Sequence, residues 1–541
     1  MTTLTQFRSV FTIPGAGGQI QTLDFIDPVS SARDAVGAVL GALTNSIIGG
    51  NLVPVVAVAD GMPSAPIGAS GMLQVNVGGQ YVIGAGYTAL IDNASTPATV
   101  FGGASDGQRV VAANGGLTFS AGTGAGTVIA GGGLSTVAGT VSGFPFPLSV
   151  HSGRGNAMIS VPSGAGAQYI FTGDGDDTIA ALSGNNTIDG GAGANFILAQ
   201  GGNDLITSEG QDLISIPDGN ATITALGQTL NGPTTGQTIF LGSGNSRVSN
   251  QFALNGPSAR VAIVVGSGAA TVNSFGTDQI WMSIGGGVVN SRNTSIIVLE
   301  LPSLTASIQP TTLFPTTPQA GDTIIGGSGA ATVNATSYAS DFVFAGSGAL
   351  NFTGGIGAST ILGNAAGTAS ITGGVGSVIA IAYGSTSFTG GAGAATVAAF
   401  GGSVTINGGA GIGLYVGAPG GQNRISQGTG QATMYGGGDG DIIAAGSVGG
   451  GILVAGRGTE TLIGGAGADL FAVLHGNASN VVVRNFIPGQ DFMNFAGFST
   501  TEATNALAAS VLIAGSRQLT LSDGTRILFA GVTGLATASF L

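Results

Sequence analysis

An apolar residue returns every nine positions along part of the chain. Between Ser163 and Thr207 the sequence cut in nines reads SGAGAQYIF, TGDGDDTIA, ALSGNNTID, GGAGANFIL, AQGGNDLIT, and the eighth place holds Ile170, Ile179, Ile188, Ile197 and Ile206. Each unit opens with a glycine-rich turn, where backbone angles barred to other residues are needed. It closes with a short strand whose middle side chain points inward and whose neighbours point out. A single unit cannot bury its isoleucine, whereas stacked coils can. The pattern therefore predicts a flattened tube with a continuous apolar ladder inside.

Weaker copies recur downstream: VGSGAATVN (265–273), GGSGAATVN (326–334), GGIGASTIL (354–362), GGAGAATVA (390–398), AGRGTETLI (455–463) and GGAGADLFA (464–472). A different period appears only near the start. Val36, Val39, Leu40, Leu43 and Ile47 are spaced for one face of a helix over 35–48, with Ser31 and Asp34 set as a capping box before it and Gly49-Gly50 after it. That helix is expected to cap the β structure or pack on its end. Prolines at 302, 310, 315 and 318 forbid a regular central strand in the Pro/Thr-rich stretch 301–321, which reads as a surface excursion. The expected organisation is an N-terminal segment (1–67), a glycine-rich solenoid (68–225) with its best repeats at 152–224, an irregular β region (226–322), a second solenoid stretch (323–480) and a C-terminal cap (481–541). The fold class is all-β: a parallel β-roll or β-solenoid with degenerate nonapeptide repeats, one short N-terminal helix and a C-terminal capping β region.

Composition narrows the chemistry. Glycine reaches 102 residues with only 18 prolines and no every-third spacing, so collagen is excluded. Charged residues are 7% and apolar residues 43%, the opposite of a disordered chain. Every basic residue is arginine, and the net charge of −13 argues against nucleic acid and anionic membranes as partners. Absence of cysteine excludes disulfides. No apolar run approaches the roughly 18–20 residues of a transmembrane helix, and no cleavable leader is visible at the start. Most acids are aspartates clustered among glycines, which suits a hard, oxygen-seeking cation such as Ca²⁺.

The unit GGxGxDxUx, with U a large apolar residue, is matched at every position by GGAGADLFA (464–472) and misses only the first glycine in TGDGDDTIA (172–180). The chain thus resembles the RTX, hemolysin-type glycine-rich nonapeptide proteins, strongly over 152–224 and 436–495. The resemblance implies a parallel β-roll that folds on binding Ca²⁺ outside the cell. It also implies export by a type I channel reading an uncleaved C-terminal signal, here within 481–541, and hence an extracellular or cell-surface location. It further implies that position six supplies the carboxylate ligand and that turns eighteen residues apart stack. One edge would stack Asp177, Asn195 and, after a one-residue slip, Asp212, with Asp174 and Asp176 beside them. The other would stack Gln168, Asn186 and Asp204. The C-terminal block offers Asp439, Asp441, Glu460 and Asp469. Many repeats carry Ala, Asn or Gln at position six, so a handful of ions is expected near 172–215 and 439–469. Aspartates in such turns also make Asx turns with no ion at all.

Little suggests catalysis. His151 and His475 are the only histidines, HExxH is missing, and the GxG triplets belong to repeat turns. Trp281 is the sole tryptophan and reads as a core or cap residue. The expectation is a non-enzymatic structural protein that self-associates into a polymer or lattice, as surface layer, filament or biofilm subunit. A calcium-stabilised adhesin binding a glycan, for instance a cell-surface polysaccharide, or a host surface is the alternative, and a polysaccharide-acting β-helix enzyme comes third.

Overall fold

The computed structural model describes residues 8–541, apart from 27–29, 59–60, 62, 105–106, 114, 123, 133–134, 140–146, 162–165, 227–235, 252–260, 275–277, 284–286, 292–294, 300–319, 336–339 and 478. The Pro/Thr-rich stretch therefore lies almost wholly outside the described residues. The chain divides into two compact units, Met1–Gln279 and Ile280–Leu541.

From Ser70 on, consecutive strands of the first unit alternate between two sheets, and each pairs in parallel with the strand two places on. Tyr169–Phe171 pairs with Thr187–Asp189, and Thr178–Ala181 with Phe196–Ala199. Where the repeats are best, the register advances by two nonapeptides per coil, as in Ile170↔Ile188↔Ile206 and Ile179↔Ile197, while the coil from Ile159 to Ile179 is longer and that from Ile197 to Ile214 one residue shorter. Those isoleucines are all buried, the period-two consequence of one inward side chain per short strand. Each contributes about 2 kcal/mol by leaving water. The turns stack as closely as the strands: Gly193 sits at φ 129°, and a Cβ there would run into the Gly175 carbonyl.

The N-terminal helix runs from Ser30 to Ile48, so Ser31 and Asp34 lie within it and not ahead of it. It also does not sit on the end of the tube. With the antiparallel hairpin Arg8–Pro14/Ile20–Ile26 it covers the outer face of the first coils: Val36, Leu40, Leu43, Ile13, Leu23 and Phe25 share one core with Met72, Ala89, Ile91, Val111 and Ile129. The reason is legible in the strands beneath. Tyr87–Asp92 and Gln108–Ala112 place apolar residues on both faces (Leu90 and Ile91, Val110 and Val111, all buried), and the outer set needs a cover.

The second unit repeats the scheme with a 12-stranded sheet that begins at Ala331–Asn334, facing a parallel sheet containing Ser340–Phe344, Ser359–Leu362 and Val378–Ala382. The 12-stranded sheet ends in an antiparallel cap, Val511–Ile513, Ser516–Thr520 and Arg526–Phe529, the last pairing in parallel with Asn480–Arg484. A second short helix, Glu502–Ala508, precedes the cap; the buried Glu502 accepts from the Ser522 N–H (2.6 Å) and hydroxyl (2.9 Å). Trp281 is half-buried between the buried Ile280 and Met282 of one strand, which places it on an outer face, where a core or cap position was expected. The fold is the parallel β-solenoid that the pattern predicts. Among the described residues no helix is long and apolar enough to cross a membrane.

Candidate metal centre

Positions six and eight of a repeat are two residues apart, so both face inward. Position six lies at the corner where turn becomes strand, and its side chain is buried against the neighbouring coil. On one edge Asp177 Oδ1 accepts the Ala157 N–H (2.6 Å), Asn195 Oδ1 the Asp177 N–H (2.8 Å) and Asp212 Oδ1 the Asn195 N–H (2.9 Å). On the other, Gln168 Oε1 accepts from Leu148 (3.0 Å), Asn186 Oδ1 from Gln168 (3.3 Å) and Asp204 Oδ1 from Asn186 (2.9 Å). Every bond runs the same way: the side chain takes the N–H of its counterpart one coil earlier. Each such bond closes a buried donor that the turn would otherwise orphan.

A second column stands outside the first. Asp176 Oδ1 accepts the Ala194 N–H (2.9 Å), and the Asp176 N–H in turn donates to Asn156 Oδ1 (3.0 Å). On the opposite edge Asn185 Oδ1 accepts the Asn203 N–H and Asn220 Oδ1 the Asn245 N–H, while Asn203 Oδ1 accepts from the Asn220 side-chain amide. Asp174 is exposed and pairs with Arg154 at 3.1 Å.

The inner acids of this block are not all satisfied. Asp177 Oδ2 and Asp204 Oδ2 are buried with no hydrogen-bond partner. Burial pushes both carboxyls up to about 6, partly offset by the accepted N–H groups and, at Asp177, by the nearby Thr172 hydroxyl. Asp212 differs because the Ser208 hydroxyl closes its second oxygen. The glycine turns of these coils stack closely: a Cβ at Gly191 would strike the Gly173 carbonyl, and one at Gly202 the Gly184 carbonyl. Desolvated carboxylate oxygens and the carbonyls of glycine turns are donor types that fit a hard cation.

The acids of the C-terminal block are arranged otherwise. Asp441 Oδ1 accepts the Asn423 N–H (2.7 Å), while its Oδ2 accepts the N–H of Gly437 (2.7 Å) and Gly438 (3.0 Å) in its own turn. Asp469 divides its oxygens between Gly451 (2.7 Å) and Gly465 (2.6 Å) in the same way. Asp439, exposed, accepts the Thr459 N–H at 2.6 Å. Only Glu460 keeps an open oxygen: Oε2 takes the Gly456 N–H (2.9 Å) and Oε1 has no partner. Burial, with Asp441 and Asp439 adding repulsion, pushes its carboxyl up to about 8.

Besides Asp278, which accepts from Val261 (2.9 Å), three acids in corner positions escape the nonapeptide pattern. Asp322 accepts from Ser295 (2.7 Å), Asp341 from Asp322 (3.1 Å) and Asp491 from Asp469 (2.9 Å). None sits in a GGxGxD frame. Each does stand two residues before an inward apolar side chain, Ile324, Val343 or Met493, and that shorter signal marks the corner. Among the described residues no three His, Asp or Glu side chains converge on one point, so an ion here would draw most of its ligands from the backbone.

Fold and corner acids together define a calcium-binding repeat solenoid. The RTX calcium-binding nonapeptide repeat matches the chain in four copies, over residues 165–206 and 449–480. The chain carries RTX repeats, which bind Ca²⁺ and are characteristic of type I secreted extracellular proteins. No curated protein matches the chain.

Proposed function

We propose that this protein is a calcium-ordered structural subunit that self-associates at the cell surface or in an extracellular matrix, as surface layer, filament or biofilm component. In this reading Asp177 Oδ2 and Asp204 Oδ2 are the principal carboxylate ligands of Ca²⁺, completed by turn carbonyls. Glu460 is the counterpart in the C-terminal block. Bound Ca²⁺ would supply the positive charge that offsets these desolvated carboxylates, and no catalytic role is assigned.

The observation that carries self-association is the neutral, apolar outer surface. Soluble domains usually carry about 25% charged residues; this chain has 7%, and none lies between Asp341 and Arg424. Within that stretch Ile379 and Leu414 stand outward and exposed in one column, and Tyr383 stacks on Phe400 with ring centroids 5.7 Å apart. Surface of this kind is normally covered in use. Sedimentation and circular dichroism of the purified protein in EGTA and then in millimolar Ca²⁺ test the reading. Calcium is expected to raise β content and yield large particles. A folded monomer indifferent to calcium would overturn it.

A second reading, an adhesin for neutral glycans, is favoured by the opposite sheet of the second unit. There Ser370, Ser387 and Thr405 form one outward column and Thr372, Thr389 and Asn407 another, all exposed and in unbroken register. Retention on an insoluble polysaccharide while the protein stays monomeric would favour it.

A further inference from the structure

The strand Val511–Ile513 stands at the end of the 12-stranded sheet and pairs on one side only, with Ser516–Thr520. All three of its side chains are exposed: Val511 50%, Leu512 57%, Ile513 47%. Edge strands are ordinarily blunted by lysine, proline or a bulge, because an open edge is a template for another strand. This edge has none of these. No Asp, Glu, Lys, Arg or Pro occurs between Glu502 and Arg517.

The hairpin fixes which backbone groups are open. Its two-residue turn, Ala514 at φ 47° and Gly515 at φ 78°, is of the tight type with both central residues left-handed. The residues flanking such a turn, Ile513 and Ser516, form a hydrogen-bonded pair, as do Val511 and Gln518. Leu512, between them, directs its N–H and C=O away from the hairpin and into the open edge. Arg517, the nearest charge, is held within its own cap, donating to the Thr533 carbonyl and the Ser510 hydroxyl, each at 2.8 Å.

We propose that this edge is a contact between two copies of the chain, which pair antiparallel through Val511–Ile513 about a two-fold axis at Leu512. The inference rests on the self-association reading and gives it an interface. A second copy fits for two reasons. One outward N–H and one outward C=O on a single central residue are what a two-fold mate satisfies reciprocally, with Val511 of each copy beside Ile513 of the other. Two chains of net charge −13 also repel wherever their acidic turns approach, whereas this edge brings none together.

The chain has no cysteine, so Leu512→Cys adds its only thiol. Paired as proposed, the two Cα atoms lie about 5.5 Å apart, within disulfide reach. In millimolar Ca²⁺ under mild oxidation, Leu512→Cys is expected to form disulfide dimers at least tenfold faster than Ile67→Cys, a fully exposed control. Leu512→Lys, at an exposed site where circular dichroism should be unchanged, is expected to shrink the sedimenting species at least tenfold. If Leu512→Cys cross-links no faster than the control and Leu512→Lys assembles like the parent, edge pairing is wrong while self-association stands. If the parent chain stays monomeric in calcium, both fall.

Discussion

The acidic turns near 172–212 and those near 436–491 share a sequence rule and a fold, yet they treat their carboxylates differently. In the first group Asp177 and Asp204 spend one oxygen on the preceding coil and leave the other buried and unpaired. In the second, Asp441 and Asp469 use both oxygens, one on the preceding coil and one on an N–H of their own turn, and Glu460 alone keeps one buried and unpaired. Position six thus has two separable tasks. Holding the coil before it needs only an acceptor, which is why Asn195, Asn186 and Asn423 serve equally well. Binding an ion needs an oxygen to spare.

The comparison is most severely tested at Asp469. Replacing it with Ala orphans the Gly451 and Gly465 N–H groups, and should cost about 3 kcal/mol by the price of two buried donors. The loss should be the same with and without calcium, read as a shift of the urea midpoint. A loss confined to calcium-loaded protein would make Asp469 a ligand and erase the contrast. Next comes the double variant Asp177→Asn, Asp204→Asn, which keeps both Oδ1 acceptors. It should be no less stable than the parent in EGTA, and should lose the stabilisation by calcium at those two sites, about 2.7 kcal/mol for each at a hundredfold excess over Kd.

A smaller effect concerns pH. Burial raises the carboxyls of Asp92 and Asp341, neither a proposed ligand, to about 6. An acid with a raised folded pKa holds its proton longer in the native state than in the unfolded chain. The stability it contributes is present below about pH 4 and is lost as pH rises through about 6. Chelated protein should therefore melt lower at pH 7 than at pH 4, and Asp341→Asn should flatten part of that slope. Smallest of all, Ile188→Val and Ile443→Val should each cost about 1 kcal/mol, alike in both blocks and independent of calcium. A calcium-dependent cost at Ile188 alone would mean that the ion also orders the core beside it.

The ladder of isoleucines, the parallel solenoid and the stacking of Asp177 on Asn195 on Asp212, slip included, were legible because two repeats make one coil and the period is undisturbed there. The corner acids Asp322, Asp341 and Asp491 were not, since the glycine frame that flags a turn had decayed around them. Only the spacing to Ile324, Val343 and Met493 survived. The place of the N-terminal helix was also hidden: its apolar stripe announces a partner without naming it, and doubled apolar pairs such as Leu90-Ile91 do not say which cover they await.

By itself the sequence determined what local geometry enforces: glycine at the stacked turns, one inward side chain per short strand, acceptors at the corners and a surface almost free of charge. Tertiary structure decided the register of the degenerate repeats, where coils lengthen to accommodate insertions, as between Ile223 and Val248. It also decided which carboxylates keep an open oxygen, because the second partner of Asp441 or Asp212 depends on where a turn N–H or a serine hydroxyl comes to rest. A repeat specifies that an acid faces the coil before it; only the packed neighbours specify whether anything is left over for an ion.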